Sequence, residues 1–140
     1  MKEEILGWRD ERISEQHKTY GHDCPMIDMD FICAEFDQCA PKGLCEYKHC
    51  NVGLRGLAER PGSQVLAALG DAAGLPAWIA IYDPVGWSYR VVPLNDLARQ
   101  VFPCPRHFTE REYVALLYQI RGREAPAELL AMLHGDLYRD

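Results

Sequence analysis

The stretch MIDMDFICAEFDQCAPKGLCEYKHC, residues 26–50, decides the fold because it holds two strand patterns separated by a turn. Within residues 26–36 every second side chain from Ile27 to Cys33 is apolar, which is the period of a β-strand with one buried face. The segment 37–43 supplies Asp37, Pro41 and Gly43, residue types typical of turns. Residues 43–50 alternate again, so the stretch predicts a β-hairpin.

Alternation also assigns each side chain of the hairpin to a face. In the first strand the apolar face carries Ile27, Met29, Phe31 and Cys33, and the other carries Asp28, Asp30, Ile32 and Ala34. In the second strand one face carries Leu44, Glu46 and Lys48, and the other carries Cys45, Tyr47 and His49. If Asp30 pairs with Glu46 or Lys48, the loop is centred near residue 38 or 39, inside the turn.

Helical patterns flank the hairpin on both sides. Residues 3–18 form a weak one, and SQVLAALGDAAGLP, from residue 63, predicts a helix capped by Ser63 and ended at Gly74 and Pro76. Apolar strands are predicted over 77–83 and 87–95. Farther on, Thr109 and Glu112 predict a capping box, and a last helix carries Leu129, Leu130, Leu133 and Leu137. This order predicts an α/β (α+β) sandwich.

Composition limits the size and the partners of the protein. Its 140 residues, 48% hydrophobic and 26% charged, predict a single domain over 1–140 without extensive disorder. The amino terminus lacks the apolar core of a signal peptide and no apolar run reaches about 18 residues, so we expect a cytoplasmic protein and no membrane contact. The net charge of −6 gives no general attraction to phosphate. Any nucleic-acid contact therefore requires a local basic patch.

Six cysteines raise the question of disulfides or zinc, namely residues 24, 33, 39, 45, 50 and 104. In a reducing compartment free thiols are expected. Structural zinc sites favour closely spaced cysteine pairs, and the chain has no Cys-x₂-Cys. We predict reduced, mostly buried cysteines and no zinc.

Two carboxylates and a lysine on one hairpin face are a device for phosphodiester hydrolysis. Carboxylates are hard oxygen ligands for Mg²⁺ or Mn²⁺, which polarises a phosphate and lowers the pKa of a bound water. A lysine then orients that water or stabilises the developing charge. In the plainer interpretation, Glu46 and Lys48 are a solvent-facing pair that contributes under about 1 kcal/mol.

PMIDMDF followed by LCEYKHC resembles the PD-(D/E)XK nuclease superfamily, which includes restriction endonucleases, Holliday-junction resolvases and phage-type exonucleases. The resemblance implies an αβββαβ core over residues 1–95, with a mixed central sheet flanked by helices and a helical extension over 96–140. It also implies that Asp30 and Glu46 are metal ligands, that the Tyr47 carbonyl is a further ligand, and that Lys48 is the catalytic lysine.

The resemblance leaves alternatives open. Pro25 lies five residues before Asp30, so Asp28 is an alternative first ligand, although the apolar Phe31 after Asp30 favours Asp30. Some branches of the superfamily add a glutamine on the following helix or an acid on the first helix. Gln64 and Glu15 are the candidates for these positions.

The preferred function is therefore a Mg²⁺- or Mn²⁺-dependent DNA endo- or exonuclease. Candidate nucleic-acid contacts are Arg90, which with Trp87 and Tyr89 predicts a stacking platform, and Arg121 and Arg123, which alternatively satisfy a helix dipole. The leucine-rich helices at 109–138 predict a homodimer that completes the DNA surface. The alternative is a catalytically inactive module of the same fold that binds a protein partner, which the net charge of −6 supports.

Overall fold

A computed structural model describes residues 11–21, 23, 29–53, 55–103 and 105–135 of the chain. The helices are α1 (Glu11–Lys18), α2 (Pro61–Ala73), α3 (Asp96–Val101), α4 (Glu110–Ile120) and α5 (Ala127–Met132). The strands are β1 (Phe31–Glu35), β2 (Ala40–His49), β3 (Ala77–Asp83), β4 (Ser88–Pro93) and β5 (Arg106–Phe108). A 3₁₀ turn over Phe36–Gln38 joins β1 to β2.

The strands form one five-stranded sheet in the order β1-β2-β3-β4-β5. Only β2 and β3 are parallel, since α2 carries the chain across between them, and the other neighbours are antiparallel. Helices pack on both faces. The predicted α+β class, a mixed sheet flanked by helices, is confirmed.

Different elements pack on the two faces of the sheet. On one face, here called the α4 face, Cys45, Trp78 and Val91 pack with Phe102 and with Tyr113 of α4. On the other, the α2 face, Leu44 and Ala77 pack against Leu66 of α2. Farther along the α2 face, Leu57 covers Ile79 and Ile81. Both faces of the central strand β3 are thus buried, as its apolar sequence requires.

The hairpin forms, but its turn is shorter than predicted. We expected the turn over 37–43, whereas β2 begins at Ala40 and Pro41 pairs with Ala34 of β1. The register shifts between Cys33 and Ala34, which pair with Gly43 and Pro41, so Lys42 is an extra residue in β2. The sheet tolerates Pro41, which has no backbone N–H to donate, beside this irregularity. The turn residue Cys39 has a φ of 50°.

The helix and strand ends test the other predictions. Gly74 ends α2 with a φ of 70°, β3 spans 77–83, and Thr109 and Glu112 form the predicted capping box. The Ser63 cap is wrong, because α2 starts earlier with Pro61 and the Ser63 hydroxyl donates to the Leu57 carbonyl at 2.8 Å.

The segment after residue 95 also adds to the sheet. It was expected to be helical, but β5 pairs with β4, and α3 lies between these two strands in sequence. Of the first predicted helix, 3–18, only 11–18 lies within the described residues. In the part of the chain that the structure describes, no helix has the length and apolarity needed to cross a bilayer.

Candidate functional site

The β1–β2 hairpin brings Asp30 and Glu46 together. Phe31 pairs with Cys45, so the same antiparallel register places Asp30, one residue before β1, opposite Glu46. The Asp30 carboxylate also accepts a hydrogen bond from the Tyr47 backbone N–H at 3.2 Å, which draws it toward β2. Of the two pairings that the sequence allows, Asp30 with Glu46 or with Lys48, the structure has the first.

Asp30 and Glu46 line one cleft between the sheet and α2. The cleft is open to solvent and has a volume of about 100 Å³. Its other lining residues are Met29, Gly62, Val65, Leu66 and Leu69. The two carboxylates thus face an otherwise apolar space.

Lys48 lies beside this pair on the same face of β2. Its Nζ is 2.9 Å from Glu46 Oε1, and about a quarter of each side chain is exposed. The ammonium group can therefore reach a ligand bound at Glu46 by a change of rotamer. All three predicted residues of the site are close together.

The backbone of Tyr47 supplies a further oxygen on the correct side. The N–H and C=O of a strand residue point to the same side of the strand. Since the Tyr47 N–H bonds to Asp30, its carbonyl also points toward the β1 side. Two carboxylates and this carbonyl are hard oxygen donors of the kind that Mg²⁺ and Mn²⁺ prefer. The residues present fit such an ion.

Arg90 lies on the α2 face as well. Lys48 pairs with Ile81, and Ile81 pairs with Arg90, so the lysine and the arginine are two strand spacings, or about 10 Å, apart. The predicted stacking platform is wrong, because Tyr89 alternates to the α4 face and stacks on Tyr113 at 4.2 Å. Trp87 stacks instead on Tyr82.

The additional candidates lie outside the cleft or outside the described residues. The Gln64 side chain donates to the Glu59 carbonyl at 2.9 Å, and Glu15 pairs with Lys18 on the exposed surface of α1. Asp28 is not among the described residues. Asp30 is thus the acid of the first strand that the structure places at the site.

Arg121 and Arg123 bind carboxylates at the opposite end of β1. Glu35, which is only 1% exposed, accepts two hydrogen bonds from Arg123 at 2.7 Å, and Arg121 lies 3.5 Å from it. Arg123 also pairs with Asp37. Hydrogen bonding to Arg123 lowers the pKa of Glu35 despite the burial. Glu35 is five residues, or about 16 Å, along the chain from Asp30. The assignment of Arg121 and Arg123 to nucleic-acid contact stays a prediction. In the structure both side chains lie against the Glu35 carboxylate of their own chain.

The α4 face holds a buried polar network. The Tyr113 hydroxyl accepts from Trp78 Nε1 at 3.2 Å and lies 2.8 Å from the Tyr47 hydroxyl. Cys45 Sγ is 3.7 Å from the same oxygen, and burial raises the pKa of this thiol to about 12. Cys45 therefore stays protonated at neutral pH and is not a nucleophile.

The cysteines that the structure describes differ in burial. Cys45 is buried and Cys33 half-buried, whereas Cys39 and Cys50 are exposed, so the prediction of mostly buried thiols is wrong for these two. They lie at the turn after β1 and just beyond β2, where alternation no longer applies. Within the described ranges, no three His, Cys, Asp or Glu side chains converge on one point.

The sequence did not reveal the apolar wall of the cleft. Val65 and Leu69 are 50% and 45% exposed on α2, four residues apart, and hence on one helix face. Their spacing was the available signal, and the sequence analysis drew only a helix from this segment. Comparison with known proteins adds no assignment, since no family model, no curated protein and no solved structure matches the chain.

Proposed function

We propose that the protein is a Mg²⁺- or Mn²⁺-dependent nuclease that hydrolyses phosphodiester bonds of DNA at Asp30, Glu46 and Lys48. The observation that carries the proposal is the shared cleft of Asp30 and Glu46, with Lys48 Nζ 2.9 Å from Glu46. Two acids opposite each other can hold a metal ion that assists phosphoryl transfer, and a lysine two residues along the same strand can stabilise the charge that develops on the phosphate.

The roles follow from the contacts. Asp30, Glu46 and the Tyr47 carbonyl would hold the ion, which supplies polarisation of the phosphate and acidification of a water. Lys48 then gives up its bond to Glu46, and its Nζ holds either the attacking water or the charge that develops on the phosphate oxygens. Arg90, about 10 Å along the same face, is the cation placed to bind a neighbouring phosphate.

Substitutions at the three residues separate these roles. Asp30→Asn or Glu46→Gln should abolish cleavage and weaken Mn²⁺ binding, because a charged ligand is lost. Lys48→Ala should lower kcat by about 10²–10³-fold while Mn²⁺ binding stays the same or tightens, because a neighbouring positive charge is removed. Cleavage of labelled DNA and titration calorimetry with Mn²⁺ measure the two effects.

Matched controls lie outside the cleft. Lys18→Ala removes an exposed lysine from α1, and Asp71→Asn removes an exposed acid from α2. Both should retain full activity, and circular dichroism should show every variant folded. If the wild-type protein cleaves no nucleic acid with either ion, or if Lys48→Ala is fully active, the nuclease proposal fails.

A catalytically inactive module that binds a protein partner is the second candidate. The observation that favours it is the net charge of −6. Calorimetry decides between the candidates before any substrate is known. Binding of Mn²⁺ that Asp30→Asn weakens supports the nuclease, and no binding at millimolar Mn²⁺ supports the module.

A further inference from the structure

A second cavity, here called the α3 groove, lies near the start of β2 and β3, away from the cleft of Asp30 and Glu46. It is open to solvent and has a volume of about 340 Å³. This volume is within the range of about 300–1,000 Å³ that is typical of small-molecule sites. The apolar part of its lining consists of Pro76, Leu97, Val101 and Ile120.

The polar side chains of the α3 groove all carry hydrogen-bond donors. They are the ammonium group of Lys42 and the amides of Gln100 and Gln119. No acid is among the described residues that line the groove. Asp96, an acid of α3, is 96% exposed and is bonded to Arg99 at 2.7 Å. The lining therefore carries one positive charge and no negative charge, which is complementary to an anion.

The irregularity in β2 determines the position of Lys42. It is the extra residue between Pro41 and Gly43, and such bulges redirect side chains, often beside functional sites. Lys48 of the same strand is 2.9 Å from Glu46, whereas Lys42 forms no ion pair with any residue that the structure describes. Lys42 is also half-buried. A half-buried charge without a counter-charge is costly, and an anionic ligand would remove that cost.

The apolar walls distinguish an organic anion from an inorganic one. Phosphate and sulfate are commonly held by bidentate arginines or by the backbone N–H groups of a helix N-terminus, and they gain nothing from hydrocarbon walls. The α3 groove instead combines a single lysine with four apolar residues. One carboxylate balances the lysine, and a hydrocarbon body attached to it would bury the apolar lining.

We propose that the α3 groove binds a small organic acid, a monocarboxylate with a hydrocarbon body. The carboxylate bonds to Lys42 and receives further hydrogen bonds from Gln100 and Gln119. The hydrocarbon body lies against Leu97 and Val101. This site is independent of the proposed nuclease function, since the α3 groove and the cleft of Asp30 and Glu46 share no lining residue.

Three probes separate the two halves of the ligand. Octanoate has both the charge and the chain, 1-octanol has the chain alone, and acetate has the charge alone. We titrate each into the ¹⁵N-labelled full chain and follow the backbone amide resonances. Octanoate should bind with a Kd of about 1 mM or tighter, and the other two at least about tenfold more weakly. The shifts should be concentrated at residues 42, 97, 100, 101, 119 and 120.

Variants test the assigned contacts. Lys42→Gln should weaken octanoate binding about tenfold and leave 1-octanol binding unchanged, because only the charged hydrogen bond is lost. Leu97→Ser should weaken octanoate and 1-octanol alike, by about tenfold, because it removes apolar surface from the wall. Lys18→Gln is the matched control, since Lys18 is an exposed lysine of α1 outside the groove, and it should bind octanoate as the wild type does.

The wild-type titration alone can overturn the proposal, even if a variant fails to fold by circular dichroism. No shift at about 3 mM octanoate, shifts located outside the α3 groove, or equal binding of octanoate and 1-octanol would each rule the site out. Equal loss of octanoate binding in Lys42→Gln and Lys18→Gln would show that the acid responds only to general charge. Octanoate binding that requires Lys42 and Leu97 but not Lys18 supports the site.

Discussion

At the scale of single residues, the core depends on a glycine beneath a tryptophan. Gly43 is buried in β2, and a Cβ built on it would lie 2.6 Å from the ring of Trp78, which is itself fully buried. Trp78 cannot swing away freely, because its Nε1 is bonded to Tyr113 and its ring packs against Phe102. Gly43 is thus required by space, not by backbone conformation.

Gly43→Ala should destabilise the protein by about 2 kcal/mol, because the added methyl group would clash with the Trp78 ring, which is held in place by its neighbours. Urea unfolding followed by tryptophan fluorescence measures the change. Gly53→Ala is the matched control, since a Cβ there has no atom within 4 Å, and its midpoint should be unaffected. Equal midpoints for the two variants would show that the sheet adjusts around residue 43.

Single residues of the site were predictable only where a period governs them. Alternation within two strands placed Glu46 and Lys48 on one face and left Asp30 opposite one of the two, and in the structure it is opposite Glu46. Val65 and Leu69 follow a helical period, but whether that face meets the core or an open cleft depends on the angle at which α2 crosses the sheet. No local pattern contains this angle.

At the scale of elements, ion pairs of Glu35 connect the first hairpin to the segment after α4. Its carboxylate, at the end of β1, is held by Arg123 at 2.7 Å and approached by Arg121 at 3.5 Å. These arginines follow α4, about 88 residues farther along the chain. One buried acid therefore connects an edge strand to the carboxy-terminal helices.

Glu35→Gln should lower the stability of the protein at neutral pH, because two guanidinium groups lose their buried counter-charge. The pKa of Glu35 is lowered in the folded state, so its contribution is complete above the unfolded pKa of about 4.3 and is lost as the pH falls through the folded value. The difference between wild type and variant should be constant from pH 6 to 8 and shrink in acid. Thermal unfolding across this range measures it.

A surface ion pair serves as the control for Glu35. Asp96 is 96% exposed and bonds Arg99 one turn away, so Asp96→Asn should leave the unfolding midpoint unchanged at every pH. A Glu35→Gln variant that is as stable as Asp96→Asn would mean that the Glu35 pair contributes nothing net.

An element could be predicted where its own residues determine it. It could not be predicted where it depends on contacts with residues far along the chain. Strand β3 is apolar throughout and α4 carries its own capping box, so both appear in the sequence. The start of α2 depends on Pro61, and the strand β5, only three residues long, exists because β4 offers it an edge. A three-residue pattern cannot indicate such pairing.

At the scale of the whole molecule, the two faces of the sheet divide stability from the proposed chemistry. The α4 face is filled by Trp78, Tyr113 and Phe102, which lock β2, β3 and β4 together. The α2 face is buried where Leu44, Ala77 and Leu66 meet and where Leu57 covers Ile79 and Ile81, and it opens beside Glu46. The site thus lies on a strand that is held rigid from behind, as positioned catalytic groups require.

The association of whole molecules is the remaining proposal, a homodimer through the carboxy-terminal helices. Leu129, Leu130 and Leu133 are half-buried within their own chain, whereas Met132 is 82% exposed on α5. Arg111 bonds the carbonyls of Leu130 and Leu133, which fixes α5 against α4 and presents Met132 outward. We propose that a second copy covers this surface.

Met132→Glu should dissociate the dimer without unfolding the chain, because the exposed side chain has few contacts of its own. Leu133→Glu should also dissociate it but lower the stability as well, since Leu133 is half-buried. Light scattering and sedimentation at tens of micromolar, about the range where weak dimers form, measure the association, and Val85→Glu, an exposed apolar position in the turn after β3, is the control. A wild-type protein that is monomeric throughout this range, or a Met132→Glu variant that still dimerises, would refute α5 as the interface, and DNA binding would then rest on one chain alone.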